Sequence, residues 1–208
     1  MQRFTLFAVA FSLLSQAADV GAQPAKTFPQ HILLIRHAEK LPPPQNIDVH
    51  LSYAGKKRAD NLHRLFIKSD DRPEPFPKPH FLFAAHNTDK SHRPLETVAP
   101  LGVALKLPVN SDFRNSIEPV SKKDVPANDI NGLRDEIFVN EKYAGKTVLI
   151  CWRHGTMPEL ARALKAAKAP VNWRSEVFDR VWQIDFDDKG NATFKDRPQR
   201  LLPGDSKK

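Results

Sequence analysis

Four strand-like, largely apolar runs constrain this chain more than any other feature: HILLI at 31–35, FLFAA at 81–85, TVLICW at 147–152 and VWQIDF at 181–186. A strand with one wet face alternates apolar and polar residues. Unbroken apolar runs need cover on both faces, and therefore a sheet inside layers of other structure. A weaker run lies near ATFKD at 192–196, and helix-like patterns fall between the strands. Ser52 is placed to cap a helix whose Ala59, Leu62, Leu65 and Phe66 share a face. Pro94 suits the first turn of a second helix carrying Leu95, Val98 and Ala99, which Pro100 is expected to kink or shorten. Ile130, Leu133 and Ile137 line one side of a third helix that runs toward Gly145. Thr156 and Pro158 mark the start of a fourth. The expected fold class is α/β, a three-layer sandwich with a mostly parallel central sheet flanked by helices.

In such sheets ligands gather at the carboxyl ends of the strands. The first run ends in Arg36 and His37, residues a core excludes unless a counter-charge compensates them. His154 and Gly155 follow the TVLICW strand, and Arg93 stands just ahead of Pro94, shortly after FLFAA. Three strand ends thus bring two arginines and two histidines to one rim, where two helix N-termini add amide donors. That combination suits an anion, and a dianionic phosphoryl group above all.

Residues 1–22 have a basic start at Arg3, an apolar stretch from Phe4 to Leu14 and small residues up to Ala22. This is the layout of a secretory signal peptide, too short for the roughly 20 apolar residues of a bilayer span. The expectation is cleavage near Ala22 and a single domain over 23–208 in the periplasm or outside the cell. No later segment suits a membrane span. The net charge of +8 favours anionic partners or is only scattered solvation. Export and the lack of a recognisable motif argue against nucleic acid. Cys151 is a lone cysteine in an apolar run, so the expectation is a buried, inert thiol.

Four segments in order carry a resemblance. LIRHAEK follows the first strand, LSYAGKKRADNL opens the first helix, HRPLETVAPL holds Arg93 with Thr97 four residues on, and VLICWRHGTM ends a strand in His-Gly. Together they resemble the histidine phosphatase superfamily, the phosphoglycerate mutase-like enzymes. Ala38 stands where glycine is commoner. The resemblance implies a metal-independent phosphatase with no cofactor. His37 would be the nucleophile that becomes a phosphohistidine, while Arg36, Arg93 and His154 would hold the phosphoryl oxygens. Phosphate monoester hydrolysis asks for up to about 10²¹-fold acceleration, roughly 28 kcal/mol. One placed donor supplies about 3–4 kcal/mol, so several are needed alongside covalent catalysis. The proton donor for the leaving group is open among Asp112, Glu118 and Glu39, with Asn115 near a comparable place. The partner expected is a small phosphorylated substrate such as a lipopolysaccharide sugar phosphate.

Other readings fit less well. YAGKTV lacks the glycine five residues before Gly145 and leads into a strand, which excludes a phosphate-binding nucleotide loop. A cysteine phosphatase needs arginine six residues after Cys151, where Met157 stands. The histidines show no HExxH or Cys/His metal spacing, and His50, His63, His80 and His86 read as surface or loop residues. Strand alternation turns Arg153 away from His154. A phosphate-ligand-binding module of the same fold, without turnover, is the alternative from another class; a mutase fits an exported protein poorly.

Overall fold

The computed structural model describes residues 27–42, 44–45, 48–116 and 129–207. The signal-peptide expectation at 1–22 and Glu118 lie outside them. Six strands, β1 (His31–Arg36), β2 (Phe81–Ala84), β3 (Val109–Asn110), β4 (Thr147–Trp152), β5 (Arg180–Phe186) and β6 (Ala192–Pro198), form one sheet in the order β3-β2-β4-β1-β5-β6. The first four strands in that order run parallel, whereas β5 and β6 are antiparallel to their neighbours.

The unbroken apolar runs do separate onto two faces. Ile32 and Leu34 of β1 and Ile150 of β4 pack with Leu133 and Ile137 of α3 (Ile130–Val139) and Leu160 of α4 (Met157–Ala163). Leu33, Ile35 and Leu149 point the other way, onto Leu62 and Leu65 beyond α1 (Tyr53–Asn61) and onto Val98 and Leu101 of α2 (Arg93–Leu105). This is the three-layer α/β sandwich. Replacing a fully buried residue such as Leu34 by alanine costs about 2–5 kcal/mol on transfer and cavity grounds.

The helix boundaries follow their caps, with three departures from expectation. Ser52 caps α1 as expected, its hydroxyl accepting the Gly55 N–H at 3.2 Å. Helix α2 runs through Pro100 to Leu105 rather than stopping. The proline sits half-exposed and forfeits one intrahelical bond, while Thr97, Val98 and Leu101 hold the buried face across it. Helix α3 ends at Val139 because Asn140 turns to an extended conformation and caps a short 3₁₀ turn at 141–143. Gly145, at φ +66°, then leads into β4. Thr156 does not cap α4 with its side chain; the hydroxyl accepts Trp152 Nε1–H at 3.1 Å.

Candidate active site

Strands β2, β4 and β1 are neighbours and parallel, so their carboxyl ends share one edge of the sheet. The ladder continues beyond them, with His37 N–H donating to the Trp152 carbonyl at 3.0 Å and Ala85 N–H to the Cys151 carbonyl at 2.9 Å. Arg36 and His37 close β1, His154 follows β4, and Arg93 opens α2 after β2. Burial is deep, with Arg36 1 %, His37 4 % and Arg93 8 % exposed.

His37 is the electrostatic centre of the group. Burial, together with the charges of Arg36, Arg93 and His154, pushes its imidazolium pKa down to about 3, although a bond to the Ala38 carbonyl works the other way. The ring is therefore neutral. Its Nδ1 lies 2.8 Å from that carbonyl, which can only accept, so Nδ1 carries the proton and Nε2 keeps its lone pair. His154 is likewise held below the usual histidine range by burial and by Arg36 and Lys40.

Arg36 is anchored from one side. Nη1 donates to the Ser175 carbonyl at 2.5 Å and the Val177 carbonyl at 3.0 Å. Its guanidinium stacks 3.8 Å from the centre of the Phe178 ring, which also lies 6.0 Å from the His37 ring. Burial and the Arg93 charge pull its pKa down to about 10. Arg36 Nε and Nη2 and Arg93 Nε are buried without hydrogen-bond partners. A neutral imidazole with a free lone pair, beside cations with unspent donors, can receive a tetrahedral oxyanion.

No family model matches the chain, and no curated protein matches it in sequence. Solved structures do match. The protein histidine phosphatase SixA, solved in complex with tungstate, is 13% identical with a TM-score of 0.52, over 81% of this chain and 97% of that one. A phosphoglycerate mutase from Bacillus anthracis str. Sterne is 14% identical with a TM-score of 0.53, over 82% and 94%. The chain has the histidine phosphatase fold.

Of the three carboxylates proposed from the sequence, Glu39 and Asp112 are among the described residues. Both Glu39 oxygens accept from Arg58, at 2.7–3.1 Å, and Arg58 also bonds Asp205. Glu39 is held in that network by Arg58, and its charge also acts on Arg36. Asp112 is exposed and lines a cavity with Phe81, Val109 and Tyr143. It follows β3, the edge strand of the sheet. Glu118 lies outside the described residues.

Several supporting residues had weaker signals or none. Thr97 Oγ1 donates to the Arg93 carbonyl at 2.7 Å and accepts the Ala38 N–H at 2.9 Å, which ties α2 to the end of β1. Its place four residues after Arg93 could have flagged the first bond. Arg153 does turn to other work, donating to the His86 carbonyl and Thr88 Oγ1 at 3.1 Å and the Ser91 carbonyl at 3.3 Å. It steadies the segment that delivers Arg93. Lys40 and Phe178 carried no signal at all. Ala38 is fully buried against Leu51 and Ala59, which explains a methyl group where glycine is commoner.

Proposed function

We propose that the chain is a phosphatase of the histidine phosphatase type, hydrolysing phosphate esters or anhydrides through a phosphohistidine at His37. The observation that carries this reading is His37 itself: buried, neutral, with Nδ1 bound to a carbonyl and three cationic or potentially cationic groups acting on it. Nε2 attacks phosphorus, the bond to the leaving oxygen breaks, and that oxygen takes a proton from solvent. Water then attacks phosphorus, its oxygen–phosphorus bond forming as the phosphorus–nitrogen bond breaks; the water's proton passes to solvent, and inorganic phosphate and the neutral imidazole are released. Arg36 through Nε and Nη2, Arg93 through Nε, and His154 hold the equatorial oxygens, where negative charge sits throughout transfer. Lowered pKa values on the surrounding groups reverse when the oxyanion enters, because it restores the missing counter-charge.

The leaving oxygen departs most readily when its own pKa is low. Aryl phosphates and acyl phosphates, whose leaving groups need little proton help, are the substrates proposed to turn over fastest. The lipopolysaccharide sugar phosphate suggested by basic charge is not carried into the proposal. Export is part of it, and protein recovered from the periplasm or medium should begin at Gln23.

The test is trapping. The chain is mixed with an acyl phosphate in the presence of chelator, quenched in alkali and mapped by mass spectrometry. An acid-labile phosphate on His37, absent from His37→Ala along with turnover, supports the proposal. Turnover that needs added metal or survives in His37→Ala overturns it, and tight binding without turnover assigns a phosphate-binding module instead.

A further inference from the structure

A second constellation lies at the start of α2. His92 precedes Arg93, Glu96 follows one turn later, and His50 reaches in from the segment at 48–51. One ligand atom from each of the three lies within 4.8 Å of the others. The two imidazole rings stand edge to face, with centroids 5.3 Å apart and an 80° interplanar angle. Glu96 is oriented from behind: Oε2 accepts the Leu51 N–H at 2.9 Å, leaving Oε1 against His50 Nδ1. The same segment is bound to α2 by His92 N–H donating to the Val49 carbonyl at 2.9 Å and Arg93 Nη1 to the Asp48 carbonyl at 2.6 Å.

We propose that His50, His92 and Glu96 form a binding site for a divalent transition-metal ion of the zinc type. Two imidazoles and one carboxylate are the donor set such an ion takes, whereas Mg²⁺ and Ca²⁺ prefer oxygen alone. Ligands about 2.0–2.2 Å from a tetrahedral zinc lie roughly 3.3–3.6 Å from each other, so small side-chain rotations within the present spread suffice. Glu96 already has the backbone donor that orients a metal-binding carboxylate. His50 is exposed while His92 and Glu96 are half-buried, so an ion can enter from solvent and leave one coordination position to water. Arg93, which feels the Glu96 charge, opposes the cation and limits affinity. Bound there, the ion cross-links the 48–51 segment to α2 and fixes the carbonyl that holds Arg93. The site borders the phosphoryl machinery at Arg93, but binding of the ion does not depend on whether His37 turns over.

The full chain, stripped with chelator, is titrated with zinc chloride by calorimetry. The expected result is one saturable site per chain in the micromolar range or tighter. X-ray absorption should then show nitrogen and oxygen neighbours without sulfur. His92→Ala and Glu96→Gln each weaken binding by at least the 10–100-fold that loss of an outer-shell partner costs. His63→Ala, on an exposed histidine outside the cluster, and His37→Ala leave it unchanged. Circular dichroism checks that each variant is folded. Should His92→Ala unfold, Glu96→Gln still decides, since its amide oxygen can keep the Leu51 bond. Absence of saturable binding to the parent chain overturns the proposal. So does undiminished affinity in the folded variants, which would leave a histidine–carboxylate pair that only pins the loop.

Discussion

His37 is both buried and uncharged, and the two properties together make the protein sensitive to acid. The unfolded chain takes a proton on this residue near pH 6.5, the folded chain only near pH 3. The unfolded state therefore binds more protons between those values, and stability contributed by neutral His37 is lost as pH falls from 6.5 towards 3. Denaturant titrations at pH 7, 6, 5 and 4 should show the decline, and His37→Gln should flatten it; an equal slope in both would remove burial of His37 as the cause. The arginines follow from their geometry. Arg93→Lys loses the planar donor set and should lower kcat by about 10²–10³-fold, measured on an aryl phosphate. Two glycines in the motifs separate cleanly. A Cβ on Gly55 would lie 2.3 Å from the Glu39 carbonyl oxygen, whereas one on Gly155 meets nothing within 4 Å. Thermal unfolding should show Gly55→Ala losing about 1–3 kcal/mol and Gly155→Ala staying within about 0.5 kcal/mol.

At the scale of elements, the site depends on how α2 is joined to β1. Thr97 makes that joint with one hydroxyl, bonded at 2.7 Å to the Arg93 carbonyl and at 2.9 Å to the Ala38 N–H. Thr97→Val keeps the volume and orphans the buried Ala38 N–H, an expected cost of about 1–3 kcal/mol by chemical denaturation. Activity should fall as well, because Arg93 and His37 lose their common reference point. The elements also show where local patterns suffice. Strands β1 and β4 were legible because both of their faces are buried, so nearly every residue in them is apolar. Helix α2 was legible in its start but not in its length. Pro100 is a local stop signal, and only the packing of Val98 and Leu101 against the sheet explains why the helix continues.

For the whole molecule, the rim of Arg36, His37, Arg93 and His154 could be anticipated because each residue sits next to a strand or helix end with a strong pattern of its own. What supports the rim could not. Arg58 and Asp205, 147 residues apart, close a buried network with Glu39, and no periodicity links them. Phe178 and the Ser175 and Val177 carbonyls reach Arg36 from a loop without regular structure. Such pairings arise from tertiary folding, and a single sequence carries no spacing rule for them. Arg58→Met tests the network: two carboxylates are left without their cation, and equilibrium unfolding should report a loss of about 3–5 kcal/mol.

A crystal structure of the chain with vanadate, a trigonal-bipyramidal mimic of phosphorus in transfer, addresses the proposed centre most directly. The result predicted is vanadium within bonding distance of His37 Nε2, with Arg36, Arg93 and His154 on its equatorial oxygens. Vanadate bound elsewhere, or bound at the rim without His37 in line, would contradict the account.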